Sequence, residues 1–178
     1  ALAGLQDWPH ALQLVNDLEL RVPGHMRVLA SQAELRARMG DAAGSRNAYE
    51  KTLYLQPQSV SACLGLGDGA LAAGDFAAAA GWYDRAVASD PRDFFALWAR
   101  ADCARQAGEY DTALRGFQLA GELCPTRPEP WVMQARCRLA TGDAAAAADM
   151  AVDSLRHFPE AADLYLVLAD AKLQLQDA

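Results

Sequence analysis

Residues 60–93 read VSACLGLGDGALAAGDFAAAAGWYDRAVASDPRD, and the pattern of this 34-residue stretch recurs along the chain. Its first half places apolar residues at helical spacing, which predicts an amphipathic helix. Gly74 suits the left-handed conformation that ends a helix, and Asp75 suits the N-terminus of a second one. Pro91 ends that second helix, because proline lacks the backbone N–H and does not fit inside a helix. The stretch therefore predicts a helical hairpin.

Five rows of residues share this period of 34. Prolines and glycines recur at Pro23, Pro57, Pro91, Pro125, Pro159 and at Gly40, Gly74, Gly108, Gly142. An acidic residue follows each of these glycines, at Asp41, Asp75, Glu109 and Asp143. Small residues, which let helices approach closely, form two more rows at Ala33, Gly67, Ala101, Ala135, Ala169 and at Ala11, Ser45, Ala79, Ala113, Ala147. One period shared by five rows indicates tandem repetition of one structural unit.

Composition and charge exclude several classes of function. The net charge of −7 argues against a nucleic-acid partner, because phosphate binding requires a basic surface. No run approaches the length of a membrane span, so none is expected. The cysteine usage favours a reducing compartment, whereas a signal segment removed upstream would place the chain in the periplasm.

No catalytic, cofactor or metal site is predicted. The glycine-rich run 65–69 lies inside a predicted helix and lacks the strand and spacing of a phosphate-binding loop. His10, His25 and His157 are scattered and have no convergent partners. Cys103 and Cys137 occupy equivalent positions one period apart, about 10 Å from each other if helices stack normally. That separation exceeds the roughly 7 Å limit for a disulfide, so thiols are predicted.

The order of these features resembles the tetratricopeptide repeat family. The matching residues are Tyr49, Tyr83 and Phe117 in the second helices, Trp131 in a first helix, and Ala86 and Ala120 late in the repeat. Ala151 in place of an aromatic residue, and Thr52 and Ser154 in place of alanine, predict looser packing there. The resemblance implies an all-α fold, a right-handed superhelical solenoid of antiparallel helix pairs with about 9–10 helices.

The resemblance covers the whole chain, which we interpret as one repeat array over 1–178. The register predicts full repeats at 26–59, 60–93, 94–127 and 128–161, with partial repeats at 1–25 and 162–178. Because both ends fall inside a repeat, we expect this chain to be a piece of a longer protein. Uncapped terminal repeats would also allow self-association.

Members of this family usually bind ligands along the first helices, which line a concave groove. Carried over position by position, the family's groove positions place a nearly continuous apolar stripe beside a ladder of charges. The predicted partner-binding groove consists of Leu64, Asp68, Leu71, Phe95, Trp98, Asp102, Arg105, Val132, Arg136, Leu139, Leu166 and Asp170. The alternative interpretation is that the large residues support packing between repeats and that the charges pair with one another. A lysine–asparagine set that would clamp a peptide carboxylate is missing from the corresponding positions.

The resemblance favours a non-catalytic scaffold that docks a peptide or an amphipathic helix of another protein in this groove. Two alternatives remain open. The chain could serve as the accessory repeat domain of a larger glycosyl- or sulfotransferase, or as a periplasmic scaffold segment of an exopolysaccharide secretion protein. The reading frame around it would separate the three.

Overall fold

A computed structural model describes residues 7–176, and within them it contains ten α-helices and no β-strand. The outermost parts of the predicted partial repeats, 1–6 and 177–178, lie outside the described residues. The helices are α1 (Trp8–Arg21), α2 (Met26–Arg38), α3 (Ala42–Leu55), α4 (Val60–Ala72), α5 (Phe76–Ser89), α6 (Phe94–Gln106), α7 (Tyr110–Leu123), α8 (Glu129–Ala140), α9 (Ala144–Leu155) and α10 (Ala162–Gln176). The prediction of an all-α fold of helix pairs is confirmed.

The periodic glycines and aspartates set where the helices end and begin. The glycines at the turns inside the helix pairs have φ between 78° and 83°, a left-handed conformation that side chains with a Cβ rarely adopt. The next residue, at Asp41, Asp75 and Asp143, accepts a hydrogen bond of 2.9–3.1 Å from the backbone N–H three residues later. Glu109 makes no such side-chain bond. Three of these four turns therefore combine a left-handed glycine with a capping aspartate, and the turn at Gly108 has the glycine alone.

The first compact unit ends at Pro91 and contains α1 to α5. In it α2 packs on α3 and α4 packs on α5, and the successive pairs are joined by contacts of α2 with α4 and of α3 with α4. Tyr83 is 1% exposed and lies directly against Gly67, where a Cβ would overlap its ring. Its hydroxyl donates a 2.7 Å hydrogen bond to Asp68. The small residue in the first helix thus makes room for the aromatic residue of the second.

The second compact unit begins at Arg92 and contains α6 to α10. One core cluster surrounds the fully buried Phe117, with Trp98 and Met133 packed against it. A second cluster contains Ala151, Val132, Leu164 and Val167. Ala151 on α9, which stands where the family pattern has an aromatic residue, is therefore surrounded by side chains from α8 and α10.

The four cysteines are thiols, as predicted for Cys103 and Cys137. Burial raises the pKa of the Cys63 and Cys137 thiols, which favours their unreactive protonated form. Within residues 7–176, no helix has the length and apolar character needed to cross a membrane. The described part of the chain also contains no cluster of three potential metal-ligating side chains.

Candidate partner-binding surface

Four of the predicted groove residues lie along α6. Phe95 is 61% exposed and meets the neighbouring Phe94 ring edge-on, with the ring centroids 5.5 Å apart. Trp98 is half-buried, and its ring centroid lies 5.1 Å from that of Phe117 and 5.8 Å from that of Phe94. The tryptophan therefore contributes to the core cluster as well as to the surface, whereas Phe95 projects mainly into solvent.

The charges on α6 pair with each other. Arg105 donates from Nε to Oδ1 of Asp102 at 2.8 Å, and Gln106 donates to the other carboxylate oxygen at 2.8 Å. Asp102 and Arg105 are only about one-third exposed or less, so this pair is partly shielded from solvent. The interpretation that groove charges pair among themselves holds for Asp102 and Arg105. On α2, Glu34 and Arg38 form a similar ion pair, 2.9 Å apart.

A groove between α8 and α10 brings three predicted residues together. Arg136, Leu139 and Asp170 line a cavity of about 500 Å³, together with Leu173 and the end of each helix. Arg136 also forms a 3.0 Å ion pair with Asp163 on α10, while Asp170 has no ion pair or hydrogen bond among residues 7–176. Leu173 is 59% exposed and Leu139 is half-buried. The groove therefore combines two leucine side chains with a positive and a negative group.

Two predicted residues of the apolar stripe differ sharply in exposure. Leu166 on α10 is 59% exposed, but Val132 on α8 is only 5% exposed and packs with Leu164 and Val167. A side chain buried in this way cannot touch a partner, so we leave Val132 out of the surface proposed below. The sequence register alone does not show which of these positions the next helix covers.

In the first unit the predicted residues lie along α4. Leu64 and Leu71 are half-buried, and Asp68 is exposed. Asp68 lines a cavity of about 490 Å³ between α2, α3 and α4, which also includes Glu34, Arg38 and Tyr49.

Tyr49, which the sequence identifies only as a match to the family pattern, also lines this cavity. Its ring lies across Gly65, where any Cβ would overlap it. Burial, reinforced by the nearby carboxylates of Glu34 and Asp68, raises the pKa of its phenol. The signal in the sequence was the glycine at position 65, because a residue without a side chain in a first helix leaves room for a ring from the preceding helix.

The first-helix surface of the second unit consists of Phe95, Trp98, Asp102, Arg105, Arg136, Leu139, Leu166, Asp170 and Leu173. These side chains come from α6, α8 and α10, and they combine apolar groups with charges. The ten described helices, packed in succession, define a helical-repeat scaffold, a class in which each unit packs mainly on its neighbours.

A comparison with known protein families supports this assignment to a helical-repeat class. The family model described as tetratricopeptide repeat matches residues 31–94 and 64–128, which together span more than half of the chain. The chain belongs to the tetratricopeptide repeat family. A comparison with curated proteins finds no match.

Solved structures of several other proteins share the helical-repeat fold of this chain. MamA from Desulfovibrio magneticus RS-1 is 16% identical with a TM-score of 0.75, over 88% of this chain and 89% of that one. YrrB, described as a TPR protein with an unusual peptide-binding site, is 15% identical with a TM-score of 0.71, over 92% and 84%. O-GlcNAc transferase from Thermobaculum terrenum is 24% identical with a TM-score of 0.64, over 74% of this chain but 26% of that one. At these identities the likeness shows the fold alone.

Proposed function

We propose that this chain is a non-catalytic protein-binding module that docks a peptide or an amphipathic helix on the first helices of its repeats. The observation that carries the proposal is the groove between α8 and α10. Leu139 and Leu173 are apolar lining residues of this groove, and Arg136 and Asp170 are its charged ones. Protein interfaces usually combine apolar and polar groups in this way.

The exposure of the neighbouring side chains supports the same proposal. Phe95, Leu166 and Leu173 are each about 60% exposed, although contact between large apolar side chains and water is unfavourable. An amphipathic helix could cover such residues with its apolar face, and its polar face would remain in solvent.

We also propose that the chain forms a single array, with full repeats at 26–59, 60–93, 94–127 and 128–161 and partial repeats at 1–25 and 162–178.

Peptides selected from a random library against the purified chain would test this proposal. Leu173→Asp puts a charge next to the apolar lining of the groove at an exposed position. It should weaken binding of the selected peptides by at least about 10-fold without unfolding the chain. Leu119→Asp is the matched control. Leu119 is 49% exposed on α7, a second helix, and the same substitution there should leave affinity unchanged.

Two outcomes of this experiment would refute the proposal. If the peptides lose affinity with Leu119→Asp but not with Leu173→Asp, binding occurs on the second helices and the proposal is wrong. Selected peptides that bind both variants as tightly as the wild type would also refute it.

A second candidate function is an accessory repeat domain of a larger glycosyltransferase. It is favoured by the likeness to the Thermobaculum terrenum enzyme, of which this chain matches about a quarter. Sequencing the reading frame on both sides tests this candidate. A catalytic domain in the same frame would support it, and a frame that encodes only helical repeats would refute it.

A further inference from the structure

Two of the described helices, α1 and α10, stand outside the helix pairs. In the four intact pairs a first helix packs on the second helix that follows it, as α2 packs on α3 and α8 packs on α9. By the period of 34, α10 is equivalent to the first helix α8, and α1 is equivalent to the second helix α3. Within residues 7–176, α10 packs mainly on α8 and α9, and α1 packs mainly on α2. One first helix and one second helix therefore remain unpaired.

The unpaired face of α10 is exposed. In the intact pairs a small residue of the first helix lies against the second helix, as Ala101 lies against Gly116, and this residue is buried in all four first helices. Its equivalent on α10, Ala169, is exposed. Tyr165 is 52% exposed, whereas the equivalent residues of α2, α4 and α6 are at most 7% exposed. The exposed face of α10 is thus the face that a second helix covers in an intact pair.

Helix α1 exposes the matching face. Leu18 is 45% exposed, whereas its equivalents in the other second helices are at most 7% exposed. Leu14, one turn away, is 56% exposed, and no residue of α1 is buried. Asp7 caps the helix as the aspartates of other second helices do, by accepting a hydrogen bond of 3.1 Å from the backbone N–H of His10. Helix α1 therefore has the cap and the apolar face of a second helix but not the cover of a first one.

Charge indicates how the two helices would align. Arg138 on α8 lies 3.8 Å from Asp143, which caps the second helix of the same pair. Arg36 on α2 donates in a similar way to a backbone carbonyl in the first turn of α3. The equivalent residue on α10 is the exposed Lys172, and the equivalent of Asp143 on α1 is Asp7. The unpaired helices thus carry opposite charges at positions that lie close together in an intact pair.

We propose that α10 of one copy of this chain pairs with α1 of a second copy, in the register of the first and second helices of a repeat. Because the helices of a pair are antiparallel, Ala169 then packs against Leu14 of the second copy and Tyr165 packs against its Leu18. At the other end of the contact, Lys172 pairs with Asp7 of the second copy. The contact is heterologous, so each copy keeps one unpaired helix to which a further copy can add.

The mass of the chain in solution tests this proposal. Sedimentation equilibrium should give a weight-average mass that rises above the 19.1 kDa of one copy between about 1 µM and about 1 mM. Leu18→Arg blocks α1 and Ala169→Arg blocks α10, and each should weaken association by at least about 10-fold. Both residues are exposed, so both variants should fold, which circular dichroism checks. Leu119→Arg on α7 is the matched control and should associate like the wild type.

A mixture of the two blocked variants reports whether the contact is head-to-tail. The Leu18→Arg copy keeps a free α10, and the Ala169→Arg copy keeps a free α1. Each variant alone should stay monomeric, whereas an equal mixture should form a one-to-one dimer that grows no further. Charge reversal tests the register, because Lys172→Glu should weaken association by about 3-fold and Asp7→Lys in the same chain should restore it.

Three results would overturn the proposal. A wild-type chain that stays monomeric over the whole concentration range would leave α10 to a different helix, of the same polypeptide or of another protein. Dimers of Leu18→Arg alone or of Ala169→Arg alone, as tight as those of the wild type, would show a symmetric contact between two copies of one helix. Association that is lost with Leu119→Arg but kept in both blocked variants would place the contact on the second helices inside the array.

Discussion

Separate alanine substitutions of Trp98 and Phe95 should distinguish packing from partner binding on the first-helix surface. The two aromatic residues lie three positions apart on α6, and the sequence register assigns both to the groove. They differ in their surroundings, because Trp98 packs against the core cluster of Phe117 while Phe95 is 61% exposed. Only one of the two substitutions should therefore destabilise the fold.

The expected magnitudes follow from these contacts. Truncating a fully buried aromatic residue to alanine costs about 3–5 kcal/mol. Trp98 is only half-buried, but it also pairs with two other rings, and such pairs add about 0.5–1.5 kcal/mol. We expect Trp98→Ala to lower the free energy of unfolding by about 2–3 kcal/mol. Phe95→Ala should change it by less than about 0.5 kcal/mol, as for other surface substitutions.

Binding should show a different ranking. If Phe95 anchors a partner, its truncation should remove about 2 kcal/mol of binding free energy, which is about 30-fold in Kd. Urea unfolding followed by circular dichroism measures stability, and titration with a selected peptide measures affinity at a temperature where every variant is folded. Leu119→Ala, on the exposed side of α7, is the control for removing a large apolar side chain.

Two results would refute this reasoning. An unchanged urea midpoint for Trp98→Ala would show that the ring contacts on α6 contribute nothing to the core. Unchanged affinity for Phe95→Ala, with weaker binding for Leu119→Ala, would place the partner on the second helices.

Two further predictions concern packing and ionisation in the repeats. Gly81→Ala should stabilise the chain by about 0.5–1 kcal/mol through helix propensity, because a Cβ there meets no atom within 4 Å. Gly116→Ala should instead destabilise the chain by about 1 kcal/mol, because its Cβ would stand 2.7 Å from the Cβ of Ala101. At this position the cost of overpacking outweighs the gain in helix propensity. Urea titrations in which the two variants are equally stabilised would contradict this prediction. The raised pKa of Tyr49 means that the unfolded chain loses the phenol proton first, so stability should fall as pH rises above about 10. Tyr49→Phe should lessen that fall. If the urea midpoint drops by the same amount between about pH 8 and about pH 11 in the wild type and in the variant, this tyrosine is not responsible.

The helix pairs were predictable from sequence because their signals are local. A glycine at φ near +80° and an aspartate that caps the next helix act within a few residues of each other, as at Gly74 and Asp75. The period of 34 then extends the same hairpin to each successive unit. Even the close contact of Tyr83 with Gly67 follows from two rows of that period.

The candidate surface was only partly predictable. The register assigns Trp98, Val132 and Leu166 to the same position of successive repeats, yet their exposure ranges from 5% for Val132 to 59% for Leu166. How much of each side chain remains accessible depends on the neighbouring helices, and in particular on α10 for Val132. A cavity lined by Trp131 and Ser154 was missed, because sequence reasoning predicted looser packing at Ser154 without locating an opening.

Sequence by itself thus determined the repeat, the helix ends and the family, because hydrogen bonding in a turn and helical periodicity involve residues close together in the chain. Only the tertiary structure decided which side chains are accessible, which charges pair, and where the helices leave space. Those properties depend on atoms brought together from different helices, as when Asp163 on α10 pairs with Arg136 on α8. A period in the sequence records that positions are equivalent, but their accessibility depends on what packs against each of them.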